Sequence, residues 1–212
     1  MVEHLIRFIE DLAATEVTSN VFNQYSYEYE ENAIRRDNLL IYLKQMSTLR
    51  PRVILVGEAP GYRGCRLTGV PFSSEYLLIN NMKGMKLFGK DKGYKLPIDT
   101  DKLLKESTAT IAWETFIKYD VKVLGWNAFP FHPYKEGNRE SNRTPLKKEL
   151  LIGEKALTEI IKLFNIEKVI AMGNKAEESL NKLGISCDKV RHPAQGGKND
   201  FVQGIGAIIE KL

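Results

Sequence analysis

Three short segments place residues capable of chemistry at the ends of apolar runs: Gly57-Glu58-Ala59-Pro60-Gly61, then Asn127 with His132-Pro133, and finally His192-Pro193. The chain has 3 histidines, and two of them stand directly before proline. Proline fixes its own φ and drives the preceding residue out of the helical region, so each of these histidines is held on extended backbone. Either ring can simply cap a strand end. Their pairing at two separate exits favours chemistry for at least one, and His192 is the preferred candidate. The first segment is a Gly/Pro loop of the kind through which a buried strand leaves its sheet, and it gains weight from the two later segments built in the same way.

The elements that must position these residues follow from the patterning. Val53-Ile54-Leu55-Val56 is a run of β-favouring apolar residues and predicts a strand buried on both faces, as in a parallel sheet. Further strands are predicted over 121–128, 168–172 and 188–191. Helices are predicted over 73–82, 101–119, 146–164 and up to Leu183, with Asn174 as the N-cap of the last of these and a terminal helix after Gly197. Strands alternating with helices define an α/β, three-layer α/β/α sandwich with a central four-stranded, mainly parallel sheet and right-handed crossovers. In such a sheet the carboxyl ends of the strands share one edge, which is where ligands bind, so the three loops are expected to meet.

Residues 1–50 are read as a helical arm packed on a body of residues 51–212. Leu5, Ile6, Phe8, Ile9 and Leu12 have helical spacing, and a second amphipathic helix is predicted over 30–46. Tyr25, Tyr27 and Tyr29 between them can pack the arm onto the body or stack on bases. Residues 83–100, rich in Gly and Lys, are read as a long loop.

The 212 residues suffice for one sizeable core. Net charge is +4, which permits a nucleic-acid partner without requiring one. Arg63, Arg66, Lys135, Arg139, Arg143, Arg191 and Lys198 follow or bracket the three loops. They ring one mouth if the loops converge; otherwise they are scattered solvated charges. No apolar run reaches the roughly 20 residues of a membrane span, and no secretory signal is evident, so a cytoplasmic monomer without a membrane partner is expected. With 2 cysteines and no C-x-x-C spacing, neither a disulfide framework, a structural zinc site nor a four-cysteine iron–sulfur cluster is expected, and no cofactor or metal is assigned. A nucleotide-using Rossmann enzyme is disfavoured, because neither G-x-G-x-x-G nor G-x-x-x-x-G-K-[ST] occurs.

Taken together, Gly57-Glu58-Ala59-Pro60-Gly61 followed by Gly69-Val70-Pro71-Phe72, Asn127 leading to Asn142-Arg143-Thr144-Pro145, Ala171-Met172-Gly173-Asn174-Lys175-Ala176, and His192-Pro193-Ala194 resemble the motifs of the uracil-DNA glycosylase superfamily. The similarity begins near Arg52, and within the superfamily the bacterial and archaeal branch that usually carries an iron–sulfur cluster is the nearest in motif. The resemblance implies a DNA-repair enzyme that extrudes uracil, or a related deaminated base, and hydrolyses its N-glycosidic bond. It implies that His192 donates to the uracil O2 in the transition state. Asn127 would read N3–H and O4, and Phe72 would stack on the flipped base, with Gly57, Ala59, Pro60, Gly61 and Pro193 shaping the pocket. Arg63, Arg66, Arg143, Arg191, Gln195, Gly196, Gly197 and Lys198 would face the nucleic acid.

Two departures accompany the resemblance. Ala59 occupies the place where the most active branch carries a water-positioning Asp. Glu58 is the nearest carboxylate, either catalytic or turned away beside the strand. After His192, Ala194-Gln195-Gly196-Gly197 lacks an apolar wedge: Gln195 is the available substitute, and the glycines suggest close approach to a phosphate or a flexible loop. These departures keep a second class in view, a glycosylase-fold module that binds a nucleobase, nucleotide or nucleic acid without efficient hydrolysis.

Overall fold

The computed structural model describes residues 1–98 and 100–212. In chain order the elements are α1 Val2–Ala14, β1 Val21–Phe22, α2 Asn32–Leu49, β2 Val53–Gly57, α3 Cys65–Thr68, α4 Glu75–Asn80, a 3₁₀ turn Lys90–Lys92, α5 Ser107–Lys118, β3 Val123–Asn127, β4 His132–Pro133, α6 Lys147–Leu163, β5 Lys168–Met172, α7 Gly173–Lys182, β6 Asp188–Val190 and α8 Lys198–Ile209. The main sheet has the order β3-β2-β5-β6 and every pair in it is parallel. This is the α/β architecture expected from the strand–helix alternation, with helices flanking a four-stranded sheet.

Burial explains why these segments are strands. All five residues of β2 and all five of β3 are buried, as continuous apolar runs in a parallel sheet require. Register then fixes the functional edge. Gly57 pairs with Asn127 and Met172 with Val190, so the carboxyl ends of β2, β3, β5 and β6 lie side by side. Crossover helices run antiparallel to the strands they connect. The first turns of α5 and α7 therefore reach the same edge.

Several boundaries differ from those read in the sequence. Helix α4 is shorter because Ser74 caps it, its hydroxyl accepting the Leu77 N–H at 3.3 Å, and because Asn81 leaves the helical region at φ +61°. The helix expected from residue 101 starts at Ser107, capped by the Glu106 carboxylate. Asn174 is not a cap: it lies in the first turn of α7, behind Met172 and a Gly173 at φ +82°.

Residues 1–50 are less peripheral than their position suggests. Leu5, Phe8, Ile9 and Leu12 on α1 are buried, and Phe8 meets Trp126 of β3 with ring centroids 5.5 Å apart. One hydrophobic cluster runs from α1 through α2 and the sheet to α8, with no seam at residue 50. A two-residue ladder stitches the ends together, β1 pairing antiparallel with β4. Of the three tyrosines, Tyr25 is buried and donates to the Gly69 carbonyl at 2.9 Å, whereas Tyr27 is exposed beneath Arg36.

Candidate functional site

The carboxyl edge of the sheet opens into a cleft of about 690 Å³. It is lined by the 57–61 loop, Phe72, Asn127, the start of α5, the start of α7 and His192. The three segments predicted to meet therefore do so.

Asn127 ends β3 and is buried, yet its side-chain amide makes no hydrogen bond among the described residues. Gly57 across the ladder makes room for it: a Cβ there would stand 2.6 Å from Asn127 Oδ1. Phe72 lies over the same strands. A Cβ on Gly125 would meet its Cδ2 at 2.8 Å, and one on Gly57 would meet its Cζ at 3.2 Å. The ring can approach the sheet this closely only because both positions are glycine. Phe72 itself has φ +50°, and its carbonyl accepts the Trp113 indole N–H at 2.7 Å, which holds this unfavourable backbone in place. An aromatic face beside a free amide forms a surface that can bind a planar ring carrying donor and acceptor groups on one edge.

His192 follows β6 and faces the cleft. The Ala194 N–H donates to its Nδ1 at 3.1 Å, so the neutral ring carries its proton on Nε2. Burial lowers the His192 pKa below the ordinary imidazole value, while the charge of Glu106 pulls it the other way. The next residues serve the turn into α8. Gln195 and Gly196 have φ +53° and +77°, and a Cβ on Gly197 would lie 2.2 Å from the His192 carbonyl. Gly197 is thus required where the helix closes on the His192 backbone.

His132, the other His-Pro histidine, is fully buried and does not line the cleft. Its Nδ1 lies 2.8 Å from the Pro60 carbonyl and its Nε2 3.0 Å from the Arg139 carbonyl, so it braces the first loop from behind. Asn142 reaches the same loop, its Oδ1 accepting the Tyr62 N–H at 3.0 Å.

Two carboxylates line the cleft. Glu58 is half-buried, and burial pushes its carboxyl above the usual range against the pull of Thr144 and Lys175. One of its oxygens, Oε1, is buried without a hydrogen-bond partner among the described residues. Glu106 stands at the start of α5, each oxygen accepting a backbone N–H, from Thr108 at 2.9 Å and Ala109 at 2.7 Å. Glu106 lies in none of the sequence motifs, and Asn174 and Lys175 lie in the 171–176 motif without being assigned to the site there. The available signal was topological: the first turn of every crossover helix opens at the edge where the strands end.

The expected cationic rim is only partly available to a ligand. Arg143 lines the cleft, but all of its N–H groups are engaged within the fold. It forms a two-pronged pair with the buried Glu149, both contacts 2.7 Å, and donates to the carbonyls of Tyr134, Asn20 and Thr144, each at 3.1 Å. Arg191 lies 3.5 Å from Asp200, Lys198 pairs with Glu114 at 2.9 Å, and neither lines the cleft. Arg66 donates to the Tyr62 carbonyl at 3.0 Å. Arg63 is exposed at the cleft, its guanidinium 5.2 Å from the Tyr62 ring centroid and in no ion pair among the described residues.

Both cysteines are free thiols, and two cannot supply the four thiolates of an iron–sulfur cluster. Among the described residues no group of three His, Cys, Asp or Glu side chains is placed to hold a metal ion, and no helix is long and apolar enough to cross a membrane.

A four-stranded parallel sheet with flanking helices thus presents an amide, an aromatic face and an imidazole at one edge. The chain belongs to the Uracil DNA glycosylase superfamily, whose family profile matches residues 43–207. Among solved structures it is similar to wild-type Pedobacter heparinus SMUG2, with a TM-score of 0.65 and 16% identity over 99% of this chain and 97% of that one. At that identity the likeness is one of fold. No curated protein matches the sequence.

Proposed function

We propose that the protein is a monofunctional DNA-repair glycosylase that flips uracil, or a related deaminated base, out of DNA and hydrolyses its N-glycosidic bond. The observation that carries this reading is the unpartnered amide of Asn127 beside the Phe72 ring, in the same cleft as a histidine whose free proton is on Nε2. Uracil offers a donor at N3 and an acceptor at O4, which an amide matches with one pair of hydrogen bonds. Cytosine reverses that pair. Phe72 stacks on the base, and such stacking is worth about 1–3 kcal/mol, comparable with the few kcal/mol that flipping costs.

As the bond breaks, charge accumulates on the departing base. A donor aimed at O2 is then bound more strongly in the transition state than in the ground state, and His192 Nε2–H supplies it. The lowered pKa of His192 suits this role, because a neutral ring donates from Nε2 while Nδ1 stays bonded to Ala194. Within the superfamily we place the chain nearest the bacterial and archaeal branch, on the strength of its 57–61 and 142–145 segments.

A second reading has an observation in its favour. Ala59 contributes no carboxylate, and Glu58 is held half-buried toward Thr144 and Lys175, so the first loop offers weak means of activating water. A module that binds a nucleobase without cleaving would look the same there.

Cleavage of single- and double-stranded oligonucleotides carrying one uracil, followed by alkaline scission of the abasic site, separates the two. Uracil-dependent product that falls about 100- to 1,000-fold in His192→Ala is the expected result. No product from folded protein with uracil, hypoxanthine or xanthine would overturn the enzyme reading.

A further inference from the structure

We propose that Glu106, at the start of α5, is the carboxylate that serves the sugar side of this reaction, stabilising the developing positive charge and orienting the attacking water. This rests on the glycosylase reading of the cleft and deepens it.

The cleft holds two carboxylates, and their settings divide the work. Glu58 is desolvated beside Thr144 and Lys175, a setting that favours its neutral form. Glu106 lines the same cleft at the start of α5. Its Cγ would lie 3.5 Å from a Cβ on Gly64, and its charge acts on His192. It thus shares that cleft with the first loop and the histidine. Both of its oxygens are fixed by backbone N–H groups of α5, and the positive end of the helix dipole supports a negative charge at that place. Each oxygen accepts one N–H and retains lone-pair capacity for a water molecule. A charge fixed in this way needs no reorganisation as the sugar becomes cationic, which is the condition for electrostatic stabilisation of a transition state.

The step balances without a further reactant. The C1′–N1 bond breaks with its electron pair leaving on the base, which His192 stabilises through O2. The oxygen of water bonds to C1′, and its proton passes to the Glu106 carboxylate and on to solvent. The base anion takes a proton from solvent after release.

Because Glu106 also caps α5, the test uses variants that separate the cap from the charge. Glu106→Gln keeps the length and one acceptor, and Glu106→Ser supplies a favoured N-cap hydroxyl; both remove the charge. The charged groups that line the cleft with His192 are Glu58, Arg63, Lys105, Glu106, Arg143 and Lys175, and Arg191 with its partner Asp200 precedes the ring in sequence. Only Glu106 is altered.

Single-turnover cleavage of uracil DNA at saturating enzyme is expected to fall about 100-fold in both variants at pH 8, with thermal midpoint retained and DNA affinity unchanged or tighter. Loss of the carboxylate also lowers the His192 pKa, so the acid limb of the rate profile should move to lower pH. A cap-only role predicts lower stability with the pH 8 rate retained; the acid limb follows the lost charge and moves in either case. If the wild type cleaves and both folded variants cleave at the wild-type rate, the inference is overturned while the glycosylase reading stands. If the wild type cleaves no deaminated base, the reading falls and the inference with it.

Discussion

Ala194 donates its backbone N–H to Nδ1 of His192 at 3.1 Å, two residues along the same turn. That single bond decides the tautomer. It also sets the pH behaviour, because protonating Nδ1 would place one N–H against another. Burial lowers the His192 pKa despite the opposing charge of Glu106. Cleavage should hold constant from pH 8 down to about 6.5, the ordinary imidazole value, and decline only at lower pH as Nδ1 takes a proton. Single-turnover rates across that range provide the check, together with the ¹⁵N spectrum of the ring. An Nδ1–H tautomer at pH 7.5 would refute the assignment.

His132 does a different job with the same side chain, and the difference is visible in stability. It is fully buried between the carbonyls of Pro60 and Arg139. The neutral ring donates its single N–H to one of these carbonyls, so His132→Ala leaves that buried carbonyl without a partner, a loss of about 1–3 kcal/mol. It also releases the 57–61 loop, so urea denaturation should show a lower midpoint and the cleavage rate should fall as well. Burial lowers the His132 pKa against the pull of those two carbonyls. A histidine whose folded pKa lies below its unfolded value contributes stability that is fully present above about pH 6.5 and is lost as pH falls through the folded value. The urea midpoint of the wild type should therefore drop between pH 7 and pH 5, and drop less in His132→Ala.

The neighbourhood of Asn127 gives a sharper test of the pocket. Gly57→Ala would put a methyl group 2.6 Å from Asn127 Oδ1 and 3.2 Å from the Phe72 ring. The strand cannot move without disturbing its ladder to β3 and β5, so the two side chains must yield. Overpacking of this kind costs about 1–3 kcal/mol. The displaced amide should reduce uracil cleavage far more than Tm, and binding of free uracil measured by calorimetry should weaken in parallel. A Gly57→Ala protein with wild-type cleavage would show that Asn127 does not read the base.

How much of this was legible follows the physics of each element. The β2, β3 and β5 segments were readable because a strand buried on both faces must be a short apolar run, and their common edge followed from parallel topology. The β1–β4 ladder was not: two residues have no period, and Val21-Phe22 becomes a strand only because His132-Pro133 lies beside it. The depth of α1 was missed for a related reason. Helical spacing gives the apolar face of Leu5, Phe8, Ile9 and Leu12 but not what that face meets, here Trp126 and α2. Glu106 was invisible as a site residue because an acidic residue before a helix is common. Its place in the cleft comes from which end of α5 reaches the strand ends.

Arg143 and Arg63 looked alike in the sequence, two arginines after two loops, and the structure separates them. Arg143 neutralises a carboxylate that has no access to water: Glu149 also accepts the Thr18 hydroxyl at 2.6 Å and the Leu146 N–H at 2.7 Å. Burial alone would raise the Glu149 pKa, but these bonds and Arg143 outweigh it and hold the carboxyl below its ordinary range. Arg143→Ala leaves that charge buried and uncompensated, which costs about 3–5 kcal/mol, and Arg143→Lys recovers only part of it because one ammonium cannot reproduce the fork. Arg63 is exposed and joins no ion pair among the described residues, so Arg63→Ala should change stability by no more than about 0.5 kcal/mol. If Arg63 meets a phosphate, its loss weakens DNA binding uniformly across sequences and reduces the salt-dependence slope by about 1. Urea denaturation and DNA affinity between 50 and 200 mM salt, roughly the range over which phosphate contacts are revealed, would distinguish the two arginines. Both arginines line the cleft, and equal destabilisation by both changes would contradict a structural role confined to Arg143.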